Sequence, residues 1–420
     1  MRVAMIGQKG IPATHGGVER HVQELSVRLC QGGHQVLVYN RHSYMPEEVS
    51  EFRGVRVVTL PSVATKHLDA ISHVTLCTLH ALAAGADIVH YHAIGPALLS
   101  WMPRLRGTAV VVTIHGRDWQ RPKWGPTASA ALRCGEWMAM HAPQETIVVS
   151  ESLTRQLAQT YGRSAHFIPN GIAIEENEDT TILDELGLEA DRYILFASRL
   201  VPEKGAHYLM EAYQTAGIEM PLVIAGDSSF SSDYVRRLHA ACANGHVILP
   251  GFVYGERLAA LFARAALFVL PSDVEGLPIV LLEALGHGTP VLASDIDPNR
   301  EVLGVLGRTF RAGDVDDLRR QLTASLADLP SMREQARRAS PFIRRVYDWD
   351  SVTTQTIAVY EHALSEAGRA ARLWLRSGHS RVGGPPPLSL SRARRTSVRA
   401  RSGASEDCST RPPDDARLGA

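Results

Sequence analysis

Four groups of residues in this chain have the types and spacing to do chemistry. In Ser272-Asp273-Val274-Glu275-Gly276-Leu277-Pro278-Ile279-Val280-Leu281-Leu282-Glu283, a strongly apolar strand runs out into a loop and then a helix. Pro278 suits the first helical turn, which leaves Glu275 and Gly276 in the preceding loop. The N–H groups of Leu277, Ile279 and Val280 are then free to donate to a ligand. Glu283 follows one to two turns later, deep enough to reach a different part of the same ligand. Two carboxylates that bond hydroxyls at separate points could hold one long polyhydroxylated molecule. The plainer alternative is a capping glutamate followed by a buried one, and an unpaired buried glutamate is expensive.

The second group is Ser198-Arg199-Leu200-Val201-Pro202-Glu203-Lys204-Gly205. Arg199 and Lys204 share a loop closed by Pro and Gly, so both could reach one diphosphate, Arg as a fork and Lys as a point charge. The third is the loop Gly7 to Glu19, in which Gly16-Gly17 precedes a helix whose free N–H groups and dipole suit an anion. Its glycine spacing is too long for the dinucleotide turn, which argues against a nicotinamide enzyme. The fourth is His115, which ends the run Val111-Val112-Thr113-Ile114 before Gly116. His90 and His92 are weaker candidates of the same kind, and their H-x-H spacing lacks a third and fourth metal ligand nearby in sequence. Asp295-Ile296-Asp297 could grip a divalent cation. The cations and helix N-termini already supply positive potential, however, so no metal is expected.

These residues need a frame that collects loops at one edge. Short apolar runs (Val3–Ile6, Gln35–Tyr39, Val55–Leu60, Ile88–Tyr91, Ala109–Ile114, Thr146–Val149) alternate with helical patterns such as Glu19–Cys30 and His67–Ala84. The alternation predicts a parallel sheet with helices on both faces. The pattern restarts with the short strand at Phe167 and an acidic loop at Glu175–Asp184. It then runs through Tyr193–Ala197, Leu222–Ile224, Val247–Leu249, Leu267–Leu270 and Val291–Ala293, with helices between them. The expected fold class is therefore α/β: two doubly wound, Rossmann-like domains facing a central cleft, where ligands sit at the carboxyl ends of strands. The domains are expected at 1–165 and 166–345, with a helix at 346–372 crossing back onto the first. A tail at 377–420 carries no hydrophobic period and is expected to be disordered. From Arg376 to Ala420 it has nine Arg against four acidic residues, a modest basic excess.

Composition sets limits. Lys+Arg and Asp+Glu both number 44, so overall charge recruits neither nucleic acid nor an anionic surface, and attraction to phosphate must be local. The scattered cysteines fit neither a disulfide framework nor a zinc site. The opening MRVAMIG lacks the apolar core of a secretory signal, and no long apolar stretch is free of charge. A cytoplasmic protein is expected, with peripheral membrane contact at the inner face allowed, since that needs only a surface patch.

Taken in order, these motifs resemble the retaining glycosyltransferase family 4 enzymes of the GT-B fold, over about residues 1 to 365. The resemblance rests on Glu275 and Glu283, Arg199 and Lys204, Gly16-Gly17, and His115. The Gly7–Glu19 segment and Asp118-Trp119-Gln120-Arg121-Pro122-Lys123-Trp124 look like a rhamnosyltransferase-like branch of bacterial polysaccharide synthesis, part of which carries Asp where this chain has His115. The resemblance implies transfer of a hexosyl group from a nucleoside-diphosphate sugar to a glycan or lipid-linked acceptor. No cofactor and no protein nucleophile are implied. Glu275 would contact the sugar, Glu283 the ribose, Arg199 and Lys204 the diphosphate, and Val253 the base. Gly16 and Gly17 would approach the diphosphate from the other domain, and His115 the reacting carbon. The rival readings are a GT-B-like epimerase, a phosphorylase, and a sugar-nucleotide-binding protein without catalysis.

Overall fold

Strands buried on both faces need continuous apolar sequence, and the chain supplies two sets of them. The first sheet contains β1 (Arg2–Ile6), β2 (Gln35–Arg41), β3 (Glu51–Phe52), β4 (Val55–Leu60), β5 (Ile88–His92), β6 (Ala109–Ile114), β7 (Glu145–Val148) and β8 (His166–Phe167), in the order β3-β4-β2-β1-β5-β6-β7-β8. Only the β3–β4 pairing is antiparallel. The second sheet is parallel throughout: β9 (Ile194–Ala197), β10 (Leu222–Ala225), β11 (Val247–Gly251), β12 (Leu267–Leu270), β13 (Val291–Ser294) and β14 (Arg308–Phe310), ordered β11-β10-β9-β12-β13-β14. The architecture is two Rossmann-like domains. This is a computed structural model that describes residues 1–14, 16–44, 49–63, 69–121, 123–174, 180–227, 232–242 and 246–376. The basic tail expected at 377–420 lies outside the described residues.

Strand order decides where a ligand goes. In the first sheet the order reverses beside β1, which is flanked by β2 and β5. In the second it reverses beside β9, flanked by β10 and β12. A crevice opens at the carboxyl ends of strands where the order switches. The loops leaving β1, β6, β9 and β12 carry Gly16, His115, Arg199, Lys204, Glu275, Gly276 and Leu277. Gly17 opens the helix after β1, Ile279, Val280 and Glu283 lie on the helix after β12, and His90 and His92 lie on β5.

Three details differ from the sequence reading. The strand expected to open the second domain is β8, the edge of the first sheet, held by Ile147↔His166 and Val148↔Phe167. Residue 165 therefore does not separate the two sheets. The acidic loop expected through Asp184 contains a short helix, Thr181–Leu186, because Ile182 and Leu183 bury against the second core. Pro278 stands just before its helix, which begins at Ile279, so the proline caps the first turn instead of joining it.

The last helix, Trp349–Arg376, packs against β6, β7 and the helix Gly17–Gln31. Trp349 and Tyr360 are fully buried there with the core of the first sheet. The Tyr360 hydroxyl lies 2.7 Å from His90 Nδ1, and Thr113 Oγ1 lies 2.7 Å from His90 Nε2. His90 is thus a partnered core residue that fastens the returning helix, not a ligand group. Replacing Tyr360 with Phe strands a buried imidazole nitrogen and should lower stability by about 1–3 kcal/mol. Urea unfolding measures it, and an unchanged midpoint would contradict the fastening role.

Candidate functional site

The second-sheet half of the site is built by two loops held in contact. Gly205 adopts φ +71°, and a Cβ there would lie 2.1 Å from the Pro271 carbonyl oxygen, so the loop after β9 can press on the loop after β12 only with glycine. The Asp273 N–H also donates to the Glu203 carbonyl at 3.0 Å. These contacts bring Lys204 to Glu275, whose side chains form a nearly buried ion pair. Burial pushes the Lys204 ammonium below the usual lysine range, and the Glu275 charge pulls it back. Arg199 is also lowered by burial and then by Arg121, and it forms no ion pair among the described residues. Its positive charge is therefore available to a ligand. Arg199 and Arg121 come from different sheets, so cationic groups from both sides face one space.

Leu277 and Ile279 bury their side chains in the second core, which leaves only their backbone groups to meet a ligand. Val253 follows β11 at the same edge of the sheet and is partly buried against that core. Gly276 touches the other sheet. A Cβ built on it would lie 1.8 Å from the His115 carbonyl oxygen, so the two loops meet backbone to backbone. Gly17 opens the helix Gly17–Gln31, with Gly16 capping it, and faces Ile279 Cδ1 across the cleft. The structure therefore brings Gly16, Gly17, His115, Arg199, Lys204, Glu275 and Gly276 to one cleft.

Glu283 is more deeply placed than a free ligand group. Its carboxylate is buried and paired with Arg20 Nη1 at 2.6 Å across the cleft. Burial raises its pKa, and Arg20 opposes the rise. Asp295 and Asp297 do not converge. Asp295 accepts from the Ala312 N–H at 2.9 Å and pairs with Arg300, while Asp297 accepts from Gln156 Nε2 at 3.2 Å.

His115 has company that its sequence position does not show. Its Nε2 lies 3.2 Å from His92 Nδ1, and the His21 ring stands edge-on to it with centroids 4.8 Å apart. No third metal partner for His92 stands nearby in sequence, but His21 provides one in space, with ligand atoms of all three histidines within 4.8 Å of one another. His21 is itself tied by Nδ1 to Asn170 Oδ1 at 2.9 Å, and Asn170 Nδ2 donates to the Leu277 carbonyl at 2.9 Å. Burial is the first cause of every pKa shift here: His21 falls to about 4, and His92 and His115 fall well below the usual range.

Comparison with known proteins fixes the family. Residues 15–176 match Glycosyltransferase Family 4, and residues 178–341 match Glycosyl transferases group 1. The chain belongs to the GT-B glycosyltransferase superfamily. Its relatives include a phosphatidyl-myo-inositol mannosyltransferase of Mycolicibacterium smegmatis, 29% identical over 88% of this chain and 95% of that protein. In fold, this glycosyltransferase is similar to sucrose-phosphate synthase of Thermosynechococcus elongatus, with TM-score 0.76 and 19% identity over 87% of this chain and 99% of the other. It is also similar to Anabaena HepE in complex with UDP-glucose, with TM-score 0.72 and 20% identity over 86% and 99%. Among its described residues no helix is long and apolar enough to cross a membrane.

Sequence reasoning missed His21, Arg20 and Asn170. His21 gave a usable signal: it falls on the buried face of its helix with Val22 and Leu25, where an imidazole must find a partner. Asn170 gave none, because Asn170-Gly171 reads as an ordinary turn.

The lowered histidines make stability pH-dependent in this glycosyltransferase. His21, His73 and His287 each titrate near 4 when folded, so the unfolded chain takes up protons first as pH falls from about 6.5. Their contribution is complete above that value and is lost progressively down to about pH 4, at up to about 1.4 kcal/mol per pH unit for each group. His166, raised by Glu145, works in the opposite sense and is outnumbered. The urea midpoint should be clearly lower at pH 5 than at pH 7, and a flat profile would contradict the neutral buried histidines.

Proposed function

We propose that this glycosyltransferase moves a hexosyl group from a nucleoside-diphosphate sugar to a glycan or lipid-linked acceptor with retention of configuration. The observation that carries the reading is the meeting of Arg199, which has no ion pair among the described residues, the Lys204–Glu275 pair and the Gly16–Gly17 helix start in one cleft. Cleavage of the donor leaves charge on a diphosphate, and preorganised cations and amides in a partly dry site stabilise that charge best. Arg199 and Lys204 would take the diphosphate, with Gly16 and Gly17 beside it. Glu275, released by Lys204, would hold sugar hydroxyls with the N–H groups after Gly276. Val253 would line the base, and His115 would lie at the reacting carbon. Arg20 binds one oxygen of Glu283, so the other oxygen would be the one to take a ribose hydroxyl. In this reading the second sheet, with residues up to about 345, holds the donor, and the first sheet with the helix Trp349–Arg376 forms the acceptor side.

Retention, without a protein nucleophile, follows from the family resemblance, as does the rhamnosyl option. The mannosyltransferase relative supports a hexose more generally. A neighbour solved with UDP-glucose makes uridine nucleotides the first donors to test. Peripheral contact with a membrane would bring a lipid-linked acceptor to the first sheet.

Glu275→Gln should keep the fold and reduce transfer about 100-fold or more; turnover like that of the parent in a well-folded variant would remove Glu275 from the site. Arg199→Ala is the cleaner test of the diphosphate contact, because removing Lys204 would also strand Glu275. Calorimetry should show weaker binding of nucleoside diphosphate with nucleoside binding little changed, whereas equal losses would assign the loop to the base or to the fold.

Initial rates in excess EDTA should match those with added magnesium or manganese, since the cleft supplies its own positive charge. A loss restored by metal would overturn that.

A further inference from the structure

Two separate runs of hydrogen bonds involve the imidazoles around His115, and the outer end of each sets its direction. At one end is Met5. Its thioether sulfur, 3.5 Å from His92 Nε2, can only accept, so His92 carries its proton on Nε2. His92 is neutral because it is wholly buried without a carboxylate partner, and its Nδ1 is therefore a bare acceptor. The atom facing that acceptor is His115 Nε2 at 3.2 Å, which must then donate. The other end is set by the Leu277 carbonyl, which can only accept and so turns Asn170 Nδ2 towards itself. Asn170 Oδ1 then faces His21 Nδ1, which must be protonated.

Resting on the glycosyl-transfer reading, we propose that His92 is a positioning residue that fixes His115 in the tautomer with Nε2 protonated and Nδ1 bare, so that His115 accepts a hydrogen bond from a ligand hydroxyl. His115 Nδ1 has no partner among the described residues, and the ring is mostly but not wholly buried, at the carboxyl end of β6 where the loops from both sheets meet. His21, anchored through Asn170 to the loop that carries Glu275, braces the other face of the ring. The tautomer is therefore held from the first sheet by His92, while the ring position is referred to the donor loop through His21 and Asn170. A bare nitrogen would favour a sugar with a hydroxyl at this point over one that presents only an acceptor or a methyl group.

Ring-15N-histidine spectra of the full chain, recorded with chelator present and with His115→Asn for assignment, read the tautomer without any substrate. The expected result is a protonated Nε2 and a bare Nδ1 on His115 throughout neutral pH. In His92→Phe that single tautomer should become a mixture. His92→Asn, whose Oδ1 sits where Nδ1 was and can accept in its place, should restore it. Transfer should follow: kcat falls about tenfold in the Phe variant, with much of it recovered in the Asn variant. A protonated Nδ1 on His115 in the parent protein would overturn the proposal. So would a Phe variant with unchanged tautomer and kcat, or stoichiometric zinc shifting all three histidines and raising activity. Should no nucleoside diphosphate bind and no transfer occur, the glycosyl-transfer reading falls, yet the spectra still decide the tautomer.

Discussion

The closest constraint in the molecule is the contact between Gly276 and the His115 carbonyl, because it sets the distance between the two sheets at the point where their loops meet. A methyl group at Gly276 would overlap that oxygen at 1.8 Å. The absence of a side chain therefore lets the loop after β12 touch the loop after β6. From this point the remaining geometry follows. Glu275 is one residue away on one side and His115 is on the other. Gly17 packs on Ile279, and Arg20, one turn further along its helix, reaches Glu283. Protein interiors resist small displacements, so a shift of an ångström at Gly276 would loosen all of these contacts together.

Charge is handled differently on the two sides of the contact. The second sheet and Arg20 contribute ion pairs, Lys204 with Glu275 and Arg20 with Glu283. Buried ion pairs gain little net stability, because desolvation offsets most of the attraction. They are nonetheless well suited to exchange, since a ligand bringing phosphate and hydroxyls can replace each partner without leaving a bare charge. The first sheet contributes neutral imidazoles linked to a thioether, hydroxyls and an amide, none of which needs a counter-ion.

Much of the frame was legible because parallel strands are apolar on both faces. The expected ends of Ala109–Ile114, Val55–Leu60 and Leu267–Leu270 coincide with β6, β4 and β12. The short strand at Phe167 was expected but not its place in the first sheet, because a two-residue edge strand with both side chains exposed carries no signal of which sheet it joins. The motif positions could be read from local chemistry, while their pairings could not. Lys204 and Glu275 are 71 residues apart, and His21 and Asn170 are 149 apart. No local pattern encodes such meetings, which arise only when strand order is known. Glu283 illustrates the limit: its spacing showed that it would lie deep, but not that Arg20 would already be there.

The returning helix Trp349–Arg376 joins these two kinds of chemistry. Trp349 packs its ring against His21 with centroids 5.4 Å apart, and Gly171, the residue after Asn170, lies against the same ring. Tyr360, eleven residues on, holds His90, whose ring lies 4.1 Å from that of His92. One helix, reached only after the second sheet is complete, thus supports both the His21–Asn170 bond and the His92 side of His115. Neither imidazole can be set by the first sheet alone. The neutral half of the site is therefore finished only when the chain has folded both sheets and crossed back. This ties the orientation of His115 to the presence of the second sheet by covalent connectivity as well as by contact.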